Sequence, residues 1–338
     1  MPNVGSRLNR LEIKPMPKDA QYDLYKKQKS TALKPLRHWA EWVLLASFKG
    51  FCSTLSIGTN QRMGRALGRL IYRFAKRDLG VGRYQLSFAL PELDEDQRES
   101  LMLECAENVG QTLFEALAID RFAKDPDRWI ELQGREVVES IKASGSGALL
   151  LFGHFGNWEL IPVVYQMLDI HGLAPESPIG AEKLDRMLVA NRTNDHFTVI
   201  PRGTGNSAKE LLKSFKHGGF YLMAIDQDLA RVKNHFVDFF GKPAATAKGA
   251  ATLAQKFKVP VLSLFGQRLA DGRHLYRICL LAEPPYQGGE EENLRLTQSF
   301  SSAYEAHIRT SPGQWVWFHR RWKTRPEDPV SDSSEELP

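Results

Sequence analysis

The chain has 338 residues, 42% of them apolar, enough to bury one large core or two modest ones, which excludes a disordered or fibrous protein. Lys and Arg outnumber Asp and Glu by 45 to 40 while the Pro- and Ser-rich stretch 326–338 is acidic, so the body is more basic than the total and favours anionic partners. Cys52, Cys105 and Cys279 are odd in number and lack CxxC spacing, which argues against a disulfide framework or a zinc site and for a reducing compartment.

Residues 1–35 are polar, Lys-rich and Pro-punctuated without an apolar core, so a flexible segment is expected and a cleavable signal peptide is not. Residues 39–57 would extend roughly 28 Å as a helix. Glu41, Lys49 and Gly50 make that helix a poor membrane span, and cations flank both of its ends, so no charge asymmetry orients it. The segment reads as a helix lying in or dipping into one leaflet, or else as a core helix. Residues 60–77 predict an amphipathic helix with Arg62, Arg65, Arg69, Arg73, Lys76 and Arg77 on one face and Met63, Leu67, Leu70, Ile71 and Phe74 on the next. Gly64, Gly68 and Ala75 form a strip of small residues where a neighbouring backbone, such as that of the 39–57 helix, can approach. A basic face of this kind suits lipid phosphates, with ordinary solvation as the alternative. Leu101, Cys105, Val109, Leu113 and Leu117 recur every four residues and predict a core-facing helix over 94–118.

From there strands and helices alternate. The apolar run 148–152, after a Gly/Ser cluster, reads as a buried strand of a parallel sheet, and 158–168 as a helix that tolerates Pro162 in its first turn. Strands are expected at 197–201, 220–225, 259–266 and 275–281, helices at 207–217, 248–257 and 294–309, and a last short run at 315–319. The order predicts an α/β fold, a mixed, mostly parallel sheet flanked by helices, with an N-terminal membrane-associated helical region. The divisions are 1–35, a helical region 36–125, an α/β core 126–326 and an acidic tail 327–338.

His154 falls at the carboxyl end of the 148–152 strand, the edge where open α/β sheets bind ligands. A neutral imidazole there can accept a proton when a carboxylate holds its other nitrogen, and Glu159 lies five positions on. The same spacing also fits a core histidine beside a surface glutamate. Gly203, Gly205 and Asp226 resemble a dinucleotide fingerprint, though the glycines equally form a turn before a helix capped by Asn206 or Ser207. The rings and cations of residues 315–325, taken alone, suit nucleic acid.

Taken in order, Gly153-His-Phe-Gly-Asn-Trp-Glu159, Ile200-Pro-Arg202, Asp226-Gln-Asp228, Phe239-Phe-Gly241 with Ala245-Thr246, and the run from Gln314 to Pro326 resemble the lipid A late acyltransferase family. That family comprises lauroyl and myristoyl transferases and includes phosphatidylinositol mannoside acyltransferases; the resemblance runs from about residue 38 to 326. It implies a glycerolipid acyltransferase-like fold and transfer of a fatty acyl chain to a hydroxyl of an anionic membrane glycolipid, in lipid A and lipopolysaccharide biosynthesis. The donor would be acyl carrier protein or acyl-CoA, a thioester co-substrate with no further cofactor, metal or nucleic acid. The place would be the cytoplasmic face of the inner membrane. His154 becomes the base and Glu159 its partner, with Asp226 and Asp228 competing for that place or pairing with Arg202 or Arg231. The oxyanion would meet backbone amides around 155–157 or Arg202. Arg202, Asp226 and Asp228 line the site, and Arg320 and Arg321 are the headgroup contacts. The chain departs from the family at residues 176–185, where an Asn-Pro-Leu-Asp type element is common, so acceptor identity stays open between a lipid A precursor and another glycolipid or aminolipid.

Overall fold

The computed structural model describes residues 34–176, 182–201, 207–229 and 232–326. Four long helices come first: α1 (Lys34–Thr54), α2 (Ile57–Phe74), α3 (Lys76–Ala89) and α4 (Glu95–Leu117). Short helices α5 (Ile119–Lys124) and α6 (Pro126–Trp129) lead into β1 (Ile130–Gln133), α7 (Arg135–Ser144) and β2 (Ala148–Phe152). Then come α8 (Ile161–Leu168), β3 (Gly172–Glu176), α9 (Glu182–Arg192), β4 (Phe197–Pro201), α10 (Ser207–Lys216) and β5 (Phe220–Ala224). A hairpin of β6 (Asn234–Phe239) and β7 (Lys242–Ala247) precedes α11 (Gly249–Phe257), β8 (Val261–Arg268), β9 (His274–Ala282) and α12 (Gly289–Thr310).

Among the described residues seven strands form one sheet in the order β1-β9-β8-β2-β5-β3-β4, parallel throughout except at the antiparallel β8–β9 pair. The expected mixed, mostly parallel sheet is therefore present. The central strand β2 is covered on both faces, with residues 148–151 fully buried, which is why its sequence is an unbroken apolar run. Leu149 and Leu151 join a core with α3, α4, α11 and α12, while Ala148 and Leu150 point the other way, toward α7 and α8. Pro162 does lie in the first turn of α8.

Two expectations for the N-terminal helices need correcting. Asp94 caps α4 through a reciprocal bond with Gln97, and α4, not α1, is what packs on the glycines of α2. A Cβ at Gly64 would sit 2.5 Å from the Gln111 Cα, and one at Gly68 2.5 Å from the Glu107 Cα, so the two backbones touch there. The second correction concerns the six-cation face. The helix ends at Phe74, so Lys76 and Arg77 begin α3, and Glu107 of α4 reaches across to Arg69 at 2.6 Å. Arg62, Arg65 and Arg73 remain exposed on α2 with Leu70 and Phe74, and α1 exposes Leu44, Phe48 and Phe51 at one-turn spacing. Among the described residues no helix is long and apolar enough to cross a membrane. The 315–319 run is no strand, only an isolated antiparallel bridge between Phe155 and Trp315.

Candidate active site

The chain turns sharply after β2, and residues 153–157 lead into a single 3-10 turn at Trp158–Leu160. β5 runs parallel to β2, with Phe152 opposite Ala224, so residues 226–228 leave the sheet edge beside that turn. The adjacency explains the site: residues 72 positions apart in the chain meet because their strands are neighbours.

His154 Nδ1 lies 3.0 Å from Asp226 Oδ1, and Asp226 Oδ2 accepts from the His154 backbone N–H at 2.7 Å and from Trp315 Nε1–H at 3.0 Å. Asp226 is buried, which works against its charge, yet the imidazole and these donors hold its pKa down to about 2. An ionised carboxylate only accepts, so Nδ1 carries the proton and Nε2 keeps its lone pair. For His154, burial works to lower the pKa, but the charge of Asp226 and the bond to it prevail and leave it raised above 6.5. Trp158 lies edge-on to the ring, and the Gln227 amide nitrogen stands 3.4 Å from both ring nitrogens.

Glu159 faces elsewhere. Its oxygens accept from Arg192 Nε at 2.7 Å and Nη2 at 2.5 Å, and the same guanidinium pairs with Glu176 at the end of β3. Burial alone would lower the Arg192 pKa, but the two carboxylates push it well up. Of the two carboxylates that compete for the imidazole in the sequence, Asp226 is the one bonded to His154, and Glu159 is bonded to Arg192.

Asp228 is turned away as well. Its carboxylate accepts from Thr324 N–H at 2.6 Å and Thr324 Oγ1–H at 2.9 Å, while its own N–H donates to His319 Nε2 at 3.0 Å. It fastens the C-terminal segment beneath the site. Arg321, expected at a headgroup, is 1% exposed: it donates to the Ala245 carbonyl at 2.5 Å and to Thr246 Oγ1, and covers the Phe239 ring. Burial lowers its pKa to about 10. Arg320 beside it is exposed. Trp315 and Trp317 are buried against Phe239 and Phe240, so these two rings of the aromatic run close the core.

Two of the amides expected to meet an oxyanion are occupied: Phe155 N–H donates to Gly153 O at 2.8 Å and Gly156 N–H to Gln314 O at 3.1 Å. Arg202, Gly203, Gly205 and Arg231 lie outside the described residues, and Asp226 is committed to His154. Among the described residues no three His, Cys, Asp or Glu side chains gather as a metal-binding group. Arg192 and Gln227 carried no sequence motif of their own. Gln227 did sit inside the Asp-Gln-Asp run, between the two residues that drew notice.

The bacterial lipid A biosynthesis acyltransferase family matches residues 26–324 of the chain. The lipid A biosynthesis lauroyltransferase of Escherichia coli (strain K12) is 28% identical over 302 residues, 88% of this chain and 96% of that protein. The palmitoleoyltransferase of the same organism is 25% identical over 275 residues, 80% of this chain and 86% of the other. A phosphatidylinositol mannoside acyltransferase of Mycobacterium tuberculosis is 23% identical over 208 residues, 60% of this chain and 62% of its own length. With a match spanning both the helical N-terminal part and the sheet that carries the His154–Asp226 pair, the chain belongs to the bacterial lipid A biosynthesis acyltransferase family and is an acyltransferase.

Proposed function

We propose that this protein transfers a fatty acyl chain from a thioester of acyl carrier protein or coenzyme A to a hydroxyl of a lipid A precursor, with His154 as general base. The observation that supports the reading is the His154–Asp226 pair at the carboxyl edge of the sheet, in which the neutral imidazole, bonded to the carboxylate through Nδ1, keeps Nε2 as the proton acceptor. The acceptor oxygen attacks the thioester carbonyl carbon as its proton passes to Nε2, and Asp226 stabilises the imidazolium. When the tetrahedral intermediate collapses the C–S bond breaks, and the thiolate takes that proton back, leaving an ester and a free thiol. No covalent enzyme intermediate is required. The Gln227 amide, 3.4 Å from the imidazole Nε2, supports a role as donor to the oxyanion.

The lipid A precursor is favoured as acceptor because the lauroyl- and palmitoleoyltransferase likenesses cover 88% and 80% of the chain, against 60% for the mannoside acyltransferase. The enzyme works at the cytoplasmic face of the inner membrane, held peripherally. Leu44, Phe48 and Phe51 on α1, and Leu70 and Phe74 beside Arg62, Arg65 and Arg73 on α2, support insertion of apolar side chains under anionic headgroups.

The test is transfer of radiolabelled acyl chain, from each thioester in turn, to purified lipid A precursor and to phosphatidylinositol mannoside. Transfer to the lipid A precursor that disappears in His154→Ala is expected. Wild-type rates in that variant would overturn the mechanism, and transfer to the mannoside alone would overturn the acceptor.

A further inference from the structure

The loop that presents His154 has little structure of its own. Gly156 sits at φ +60°, and a Cβ there would come within 2.5 Å of the Gly266 carbonyl, so the loop is pressed flat against β8. Its polar groups are satisfied from distant elements. The Gly156 carbonyl accepts from Asn108 Nδ2 at 2.9 Å and Thr112 Oγ1 at 3.1 Å, both on α4. The Asn157 carbonyl accepts from the Tyr276 hydroxyl. The Asn157 side chain accepts from Glu159 N–H at 2.9 Å and donates to Glu115 Oε2 at 2.7 Å.

Glu115 is therefore the far end of the fastening. It is fully buried, and its other oxygen accepts from Arg268 Nη1 at 2.5 Å, Gln61 Nε2 at 2.7 Å and His274 Nε2 at 3.2 Å. Burial opposes its ionisation, but Arg268 and His274 outweigh that and keep its pKa well below the usual range. Burial prevails over the charge of Glu115 and lowers the His274 pKa. A buried ion pair of this kind is a weak source of stability, since well-packed apolar residues commonly serve as well or better. What apolar residues cannot do is hold an amide at a fixed distance and direction.

We propose that Glu115 is a positioning residue: through Asn157 it sets the place of the loop that carries His154, and Arg268 and Gln61 hold it in turn. This rests on the reading of His154 as the base. A misplacement of about 1 Å at a reacting group costs on the order of 100-fold in rate. Asn157→Ala, which leaves the Glu115–Arg268 pair intact, is expected to lower kcat roughly 10- to 100-fold with KM within about twofold and the acid limb of the pH profile unmoved, because the Asp226 bond survives. Glu115→Gln in place of the carboxylate should act on the same link, so its kcat loss and that of Asn157→Ala will not multiply in the double variant.

The experiment measures kcat, KM and thermal midpoint for the full chain in all four forms, at a temperature well below the lowest midpoint. Glu115→Gln leaves Arg268 uncompensated and is the variant most at risk of unfolding; the Asn157→Ala result alone then decides. A lowered midpoint with kcat within twofold of wild type would make Glu115 a structural residue only. Multiplying losses would overturn the link between the two. Wild-type activity in His154→Ala would overturn the underlying reading and this one with it, whereas loss of activity there alongside wild-type kcat in Asn157→Ala would overturn this one alone.

Discussion

The substitution Asp226→Asn is the sharpest test of the site, because the geometry dictates how the new amide must turn. Asp226 Oδ2 accepts two N–H groups, from the His154 backbone and Trp315, so the amide oxygen of the variant must take that place. Its NH2 then faces His154 Nδ1, 3.0 Å away, where the wild-type carboxylate accepts a proton. The imidazole can answer only by moving its proton to Nε2, the nitrogen that has to be free. Restoring the working tautomer would set N–H against N–H and forfeit a charge-assisted hydrogen bond, itself about 1.5–3 kcal/mol. The total, about 3–5 kcal/mol, corresponds to roughly 10²- to 10⁴-fold in kcat, the range general-base catalysis supplies. The pH profile moves as well. Asp226 is the main influence raising the His154 pKa against the effect of burial, so its removal shifts the acid limb of kcat/KM to lower pH even as the rate falls. Stopped assays of labelled acyl transfer across the neutral range, on both sides of the acid limb, read both quantities. Activity within about threefold of wild type, or an acid limb that stays put, would refute the assignment of Asp226 as the partner.

Glu159→Gln, which spacing alone would make the equivalent change, should leave the acid limb nearer its wild-type position and act chiefly through Arg192 on KM, as steady-state kinetics will tell. Gly68→Val drives a side chain into the α4 backbone and should destabilise by about 3 kcal/mol, lowering the thermal midpoint by roughly 4–5 °C in calorimetry. The His154 pKa is raised in the fold, so the stabilisation it brings is fully present below pH 6.5 and is lost as pH rises through the folded value. The midpoint difference between wild type and His154→Gln should therefore be larger at about pH 6 than at about pH 9. Neutralising Arg62, Arg65 and Arg73 together should weaken cosedimentation with phosphatidylglycerol vesicles, by about 1 kcal/mol per charge at low salt, and leave lipid-free folding intact.

Elements with a strong local period were legible from sequence. The unbroken apolar run 148–152 is a strand covered on both faces, whereas the four-residue stripe of α4 marked the helix but not its buried side: Leu113 is 38% exposed, and the buried face runs through Met102, Cys105, Ala106 and Phe114. The β6–β7 hairpin was not, since Lys242 to Ala247 has no apolar alternation and includes Pro243; it pairs because Phe236 to Phe239 supply the other strand. β3, Gly172 to Glu176, was equally silent: it is a sheet strand because β4 and β5 hold it on either side. The Gly64 and Gly68 strip was read correctly as a close-packing surface, but nothing in a helical wheel says which neighbour arrives. Gly110 on α4 is the missing half of that contact, too far along the chain for any local period to join them.

The same reasoning explains the site. A histidine at a strand's carboxyl end was visible locally, because strand, turn and side chain lie within a few residues. Its partner was not, for a carboxylate five positions along the chain competes with one 72 positions away that only the β2–β5 pairing brings alongside. Once Asp226 takes Nδ1, the motif's own glutamate becomes available to Arg192, and through it to Glu176 at the next strand end. One acidic residue thus bonds the imidazole while the other holds Arg192, which is bonded to Glu176 as well. That division follows from strand order: the β2–β5 pairing brings Asp226 beside His154, while β3 carries Glu176 to the arginine that holds Glu159.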